Sequence, residues 1–227
     1  MIQPIIAGVT GLSAAYTVGG HALAQARALK RRADLPDCVA LTFDDGPHPD
    51  TTPAILQCLA DHGVPATFFM VGRHAEANPA LARQVADLGH DLANHTHSHR
   101  HLWTVGPSRT TEELVRATAA IGDAAGQAPV AFRPPWGVFN AASMPAARRL
   151  NQPCVLWSVR SEGLVWRPSP EEMTEHVVGR VSGGDIINLH DAGGFPDTPT
   201  RVLSALPAII GRLREAGFRF VLLREML

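Results

Sequence analysis

Cysteine is scarce: Cys38, Cys58 and Cys154 are the only three in 227 residues. They fall at no short metal-binding spacing and cannot all pair with one another, so neither a disulfide framework nor a cysteine-rich zinc site is implied. They read as small buried hydrophobes and leave the compartment open. Charge of one sign is also lacking. The formal net charge of −1 provides no basic surface for a nucleic-acid partner. Aromatic residues make up only 6%, although four of them are Trp. There is no internal repeat, low-complexity tract or Ser/Gly linker. What remains, 45% hydrophobic and 18% charged residues, suits one substantial α/β domain better than two.

The N-terminus lacks charge as well. Met1 to Val18 carries no charged side chain, and Ala22-Leu23-Ala24 resembles a small-residue cleavage site. No Lys or Arg precedes this run, whereas Arg27, Lys30, Arg31 and Arg32 follow it, a bias that would keep the domain behind an uncleaved anchor inside. Gly8, Gly11, Gly19 and Gly20 interrupt the run and make it a weak membrane span. We expect residues 1–36 to form a signal or anchor with a basic linker, and 37–227 to form the functional domain. That reading places the protein in the cell envelope, exported or associated with the membrane through this segment. The alternative is an ordinary packing helix on a cytoplasmic protein.

Beyond this segment apolar strands alternate with amphipathic helices, the pattern of βα units around a parallel sheet. Strands are expected at 39–43, 66–71, 91–93, 130–132, 154–159, 185–189 and 218–223. Helices are expected at 51–62, 79–88, 108–125, 141–150, 170–181 and 201–216, the third capped by Ser108 or Thr110. About seven strands with intervening helices imply an α/β fold, a distorted, closed or nearly closed (β/α) barrel. Active sites of such barrels lie at the C-terminal strand ends, where the polar clusters fall.

Two clusters carry chemistry. Asp44 and Asp45 follow directly on the first strand, before a Gly46-Pro47 turn. Two carboxylates that close require a cation or a proton between them. The second cluster runs from Asn94 to His101, with histidines at 95, 97, 99 and 101. Imidazole and carboxylate together are good ligands for zinc and similar ions. An extended chain would align all four histidines, whereas a helical turn would pair His95 with His99 and His97 with His101.

Thr42-Phe43-Asp44-Asp45-Gly46-Pro47 and His95-Thr96-His97-Ser98-His99 resemble the first two motifs of the polysaccharide deacetylase family, the NodB-homology domain of carbohydrate esterases. Phe132-Arg133-Pro134-Pro135-Trp136-Gly137 resembles its third motif, and Ile187-Asn188-Leu189-His190-Asp191 its fifth. The four stand in the family's order. The resemblance implies removal of acetyl groups from N-acetylated sugars in a peptidoglycan- or chitin-like glycan. It implies one divalent ion held by Asp45, His95 and His99, with zinc favoured over cobalt, nickel or manganese. Three protein ligands leave a position open; such an ion lowers the pKa of water towards roughly 7 and polarises a carbonyl. Asp44 matches the general base, and Arg133 the cation beside it, whose guanidinium can grip a carboxylate as a fork. His190 matches the general acid. Pro134, Trp136 and Leu189 match walls of the acetate pocket, Trp136 being placed equally well in the core or against substrate.

The chain departs from the family at its fourth motif, where an Asp tunes the catalytic His. Here the segment reads Trp157-Ser158-Val159-Arg160-Ser161-Glu162-Gly163-Leu164, with Arg160 in place of the Asp. Either Glu162 or Asp191 is left to supply the charge. Asn188 is a further departure, in a strand position that is commonly aliphatic. A His190 without a carboxylate would favour a sugar O-acetyl ester, whose alkoxide leaves more readily than an amine. A catalytically silent carbohydrate-binding homologue is the reading from a different class. Nothing in the chain sets an oligomeric state.

Overall fold

The computed structural model describes residues 13–163, 166–194 and 197–227; residues 1–12 of the apolar run lie outside them. The strands are β1 (Cys38–Asp44), β2 (Thr67–Met70), β3 (Asp91–Asn94), β4 (Val159–Arg160), β5 (Ile186–His190) and β6 (Arg219–Phe220). The helices are α1 (Gly20–Arg27), α2 (Thr52–His62), α3 (Gly72–Ala77), α4 (Pro79–Asp87), α5 (Pro107–Ala125), α6 (Ser143–Arg149), α7 (Pro170–Val178) and α8 (Thr198–Glu215). Local chemistry sets several boundaries. Pro53 opens α2 and Gly63 closes it in a left-handed conformation, φ 58°. Ser169 and Glu172 form a reciprocal capping box on α7.

The sheet is parallel, in the order β3-β2-β1-β5-β4, with β6 beside the first residues of β1. All seven residues of β1 are buried, as expected of a strand covered on both faces. Side chains alternate between those faces. The outer face (Val39, Leu41, Phe43, Phe68, Met70, Ile187, Leu189) packs on residues of α2, α7 and α8. The inner face is apolar at Cys38, Ala40, Phe69, Ala93 and Ile186, then polar at Thr42, Asp44, Asn188 and His190 towards the C-terminal strand ends.

The barrel differs from expectation in having six strands among the described residues and no continuous closure. Residues 130–132 and 154–158 make only single bridges, Asn94 to Phe132 and Phe132 to Cys154. Pro129, Pro134 and Pro153 bracket these segments, and a residue without an N–H cannot extend a ladder. Leu29 and Arg31 bridge to Val155 and Asp185, so the basic stretch adds to the sheet. A short helix that the sequence pattern does not announce, α3, follows β2. The N-cap of α5 is Gly106, which provides no side-chain cap. Pro107 occupies the start of that helix, and Thr110 bonds back to the Gly106 carbonyl instead of capping.

Residues 13–27 are helical, with a π-helical turn at Ala15–Gly19 leading into α1. Ala24 is buried in a cluster with Leu102, Phe132 and Phe139, and Tyr16 accepts a bond from the Ala141 amide (2.8 Å). No described helix is long and apolar enough to cross a membrane.

Candidate active site

The last residue of β1 sets the site. Asp44 faces the barrel interior and is 3% exposed. Its Oδ1 accepts from Arg133 Nη1 (2.6 Å) and its Oδ2 from Asn188 Nδ2 (2.8 Å). Arg133 is fully buried. Its Nη1 also donates to Thr42 Oγ1 (2.9 Å), its Nη2 donates to the Leu156 carbonyl (2.9 Å), and the guanidinium lies 3.9 Å from the Phe69 ring centroid. The expected fork on Asp44 is therefore a single N–H, because the other half of the guanidinium ties down the segment between β3 and β4. Burial pushes the Arg133 pKa down and Asp44 opposes that, so the carboxylate helps to keep the guanidinium charged.

Asp45 turns out of the strand with φ 79°. Gly193 makes room for it, since a Cβ at that position would run into the Asp45 carboxylate. The histidine loop is shaped from behind. Asn94 Oδ1 accepts from the Thr96 amide (2.9 Å), and Asn94 Nδ2 donates to the Leu114 carbonyl (2.9 Å) and Gln152 Oε1 (3.1 Å). Glu113, buried on α5, accepts from the Ser98 amide (2.7 Å) and hydroxyl (2.8 Å). Thr96 (φ 66°) and His99 (φ 54°) bend the loop. Left-handed backbone at a non-glycine residue costs about 1–3 kcal/mol, and four of the five such positions described (Asp45, Thr96, His99, Trp136) cluster here.

The bend decides the pairing left open by spacing. His95 Nε2 and His99 Nε2 lie 3.3 and 2.9 Å from Asp45 Oδ1. The ligand atoms of Asp45, His95 and His99 all fall within 4.8 Å of one another. His97 turns away to Glu76 (3.1 Å), and His101 turns towards Trp136. The donor set fits a divalent cation. Asp45 Oδ1 is buried without a hydrogen bond despite two imidazoles at its side, as atoms converging on a common point would be. His95 donates Nδ1–H to the Arg133 carbonyl (2.8 Å), which leaves the Nε2 lone pair for a metal. Burial would raise the Asp45 pKa, but His95 and His99 outweigh it and hold the carboxyl well below its usual range.

Across the site, His190 stands at the end of β5, its Cα paired with that of Asp44. Its Nδ1 lies 2.6 Å from Glu162 Oε1. Burial acts to lower the His190 pKa, yet Glu162, with Asp45 and Asp44, brings it up to about 9. Asp191 is committed elsewhere: it accepts from the Gly46 amide (3.1 Å) and Thr52 Oγ1 (2.6 Å). Of the expected pocket walls, Pro134 is buried beside Arg133, and Trp136 is 49% exposed with its ring 4.6 Å from that of His99. Leu189 is fully buried in the cluster on the helix side of the sheet. It does not wall the site, because period-two alternation sends it opposite to Asn188 and His190.

The family model described as polysaccharide deacetylase matches residues 31–155. The chain belongs to the polysaccharide deacetylase family. A peptidoglycan-N-acetylglucosamine deacetylase of Bacillus cereus is 34% identical over 190 residues, covering 83% of this chain and 87% of that protein. A chitooligosaccharide deacetylase of Sinorhizobium fredii is 36% identical over 190 residues, covering 79% and 87%. A solved peptidoglycan N-acetylglucosamine deacetylase structure superposes with a TM-score of 0.81 at 34% identity, covering 88% of this chain and 92% of that one.

As a polysaccharide deacetylase the chain has an unusual fourth motif, and the structure accounts for it. Arg160 pairs its backbone with Asn188 and is exposed; two residues later Glu162 reaches back to His190. Four residues of the site carry no expected role in the sequence: Asn188, Asn94, Glu113 and His74. His74 Nδ1 donates to the Asp45 carbonyl (2.8 Å). Their only signal was polarity within buried strands or on an apolar helix face, and that says nothing about which group each one meets.

Proposed function

We propose that this protein is a metal-dependent hydrolase that removes the acetyl group from N-acetylated sugars in a peptidoglycan- or chitin-like glycan of the cell envelope, with residues 37–227 as the catalytic domain. The observation that carries this reading is the convergence of Asp45, His95 and His99 within 4.8 Å, with Asp44 buried beside them and His190 opposite. The names of the relatives support the glycan class and the envelope location.

Asp45, His95 and His99 would hold the ion, for which their mixed oxygen and nitrogen donors suit zinc. When bound, it supplies Lewis acidity to the acetyl carbonyl and acidifies solvent. Asp44 takes the solvent proton at its carboxylate, which hydrogen bonds from Arg133 and Asn188 hold oriented. His190, protonated because Glu162 faces it, delivers a proton to the departing sugar amine. Each positioned acid or base contributes about 10²–10⁴-fold. The Glu162 contact supplies the carboxylate whose absence would have favoured an O-acetyl ester, so the amide is the better substrate. Pro134 and Trp136 border the acetyl position.

Acetate release from N-acetylglucosamine oligomers and from an O-acetylated sugar tests the proposal. Activity should disappear with a chelator and return with zinc. Asp44→Asn should lose about 10²–10⁴-fold in kcat while retaining metal, and His95→Ala should lose the metal. Full turnover by Asp44→Asn, or folded protein that takes up no divalent ion, would sink the reading.

A further inference from the structure

We propose that a row of rings running from His99 to the N-terminal helix is a separate sugar-binding subsite, which seats the pyranose next along the glycan from the acetylated one. The proposal rests on the function proposed above. The ring of Trp136 lies 4.6 Å from His99 and 5.4 Å from His101; His101 lies 5.8 Å from Trp103, and Trp103 lies 5.8 Å from His21 on α1. The row is continuous and starts on a residue of the metal triad. Trp136 is 49% exposed and Trp103 40%, whereas Trp side chains are on average well buried. Contiguous exposed aromatic surface marks a recognition site.

Trp103 donates Nε1–H to the Phe139 carbonyl (2.8 Å), so its polar atom is already satisfied, and His101 and His21 meet it edge to face. Trp136 is held out with φ 55°. Both loops are fastened by the N-terminal segment: Tyr16 donates its hydroxyl to the Val105 carbonyl (3.2 Å), and Gln25 Nε2 donates to the Gly137 carbonyl (3.1 Å). His21 Nδ1 accepts from the Phe139 amide (3.3 Å). A hexopyranose offers a complementary surface, an axial C–H face whose weakly positive hydrogens meet the negative face of an aromatic ring. Continuity with the triad specifies the occupant. A sugar whose acetyl group reaches Asp45 and His99 lies against Trp136, and its neighbour along the chain reaches His101 and Trp103. Helix α1 is on this reading part of the substrate cleft, where its His21 forms the outer end.

The test compares the zinc-loaded full chain with its Trp103→Ala and Trp103→Phe variants on N-acetylglucosamine itself and on its pentamer. Trp103→Ala should lower kcat/KM for the pentamer by about tenfold and leave the single sugar unchanged, and Trp103→Phe, which keeps a ring, should retain most of the preference for the longer chain. Equal loss on both substrates, no loss on either, or a Phe variant as impaired as the Ala variant would each overturn the subsite. Failure of the wild-type protein to deacetylate even the pentamer would instead refute the underlying function.

Discussion

Glu162 is the residue on which the departure from the family's fourth motif turns. A histidine at a strand end, buried among other groups, would ordinarily lose its proton more easily than in water; here a carboxylate 2.6 Å away reverses that. With the His190 pKa raised to about 9, the acid form persists through neutral pH, and activity should fall as pH rises through about 9. Replacing Glu162 with Gln removes the largest of the raising interactions while Asp44 and Asp45 remain. The alkaline limb of kcat should then move to lower pH, by an amount that a pH–rate profile measures directly, and Glu162→Asp should restore part of it. An unmoved limb would deny Glu162 this role. The same pair bears on stability with a definite sign. Because the folded pKa lies above the ordinary histidine value of about 6.5, its contribution is complete below that value and is lost as pH rises through about 9. Asp44 too is fixed by its neighbours: Arg133 and Asn188, one from the third motif and one from a strand position that is commonly aliphatic, hydrogen-bond its carboxylate.

Among the elements, α5 and α3 do the positioning that the loops cannot do alone. The histidine loop has no ladder of its own beyond β3, so its shape depends on Asn94 and on Glu113 of α5, which receives both polar groups of Ser98. The amides of Gly72 and Arg73 at the start of α3 bond the Thr96 and His97 carbonyls (2.9 and 3.0 Å), and His74 steadies Asp45 from behind. Groups that orient metal ligands typically contribute about 10–100-fold to metal affinity. Glu113→Ala should therefore weaken zinc binding by at least about tenfold in a competition titration, with the far-ultraviolet circular dichroism of the folded protein retained. Unchanged affinity would mean that backbone turns alone hold the loop. Leu189 shows the limit of motif matching at this scale. It sits inside a matched motif, yet its strand phase places it in the helix-side core.

Across the whole molecule, the triad joins the end of β1 to a loop more than fifty residues later in the chain, so metal loading ties together separate parts of the sheet. Zinc at a hundredfold its dissociation constant adds about 2.7 kcal/mol, which for a domain of this size raises Tm by roughly 5–10 °C. A thermal melt should show that rise, its reversal by chelator, and its absence in His95→Ala.

The alternation of apolar strands and amphipathic helices and the four ordered motifs were legible in the amino-acid string because each depends on neighbours close in the chain. Asp44, Asp45, His95, His99 and His190 were named as candidates through the resemblance those motifs carry, since spacing alone left the histidine pairing open. Tertiary structure decided what spacing left open. The left-handed bends at Thr96 and His99 selected one histidine pair from four. Prolines at 129, 134 and 153 left two strands as single bridges and the barrel unclosed. The choice of Glu162 over Asp191 as partner to His190 depended on contacts between segments far apart in sequence, and a carboxylate's partner is set by what folding places within a few ångströms of it.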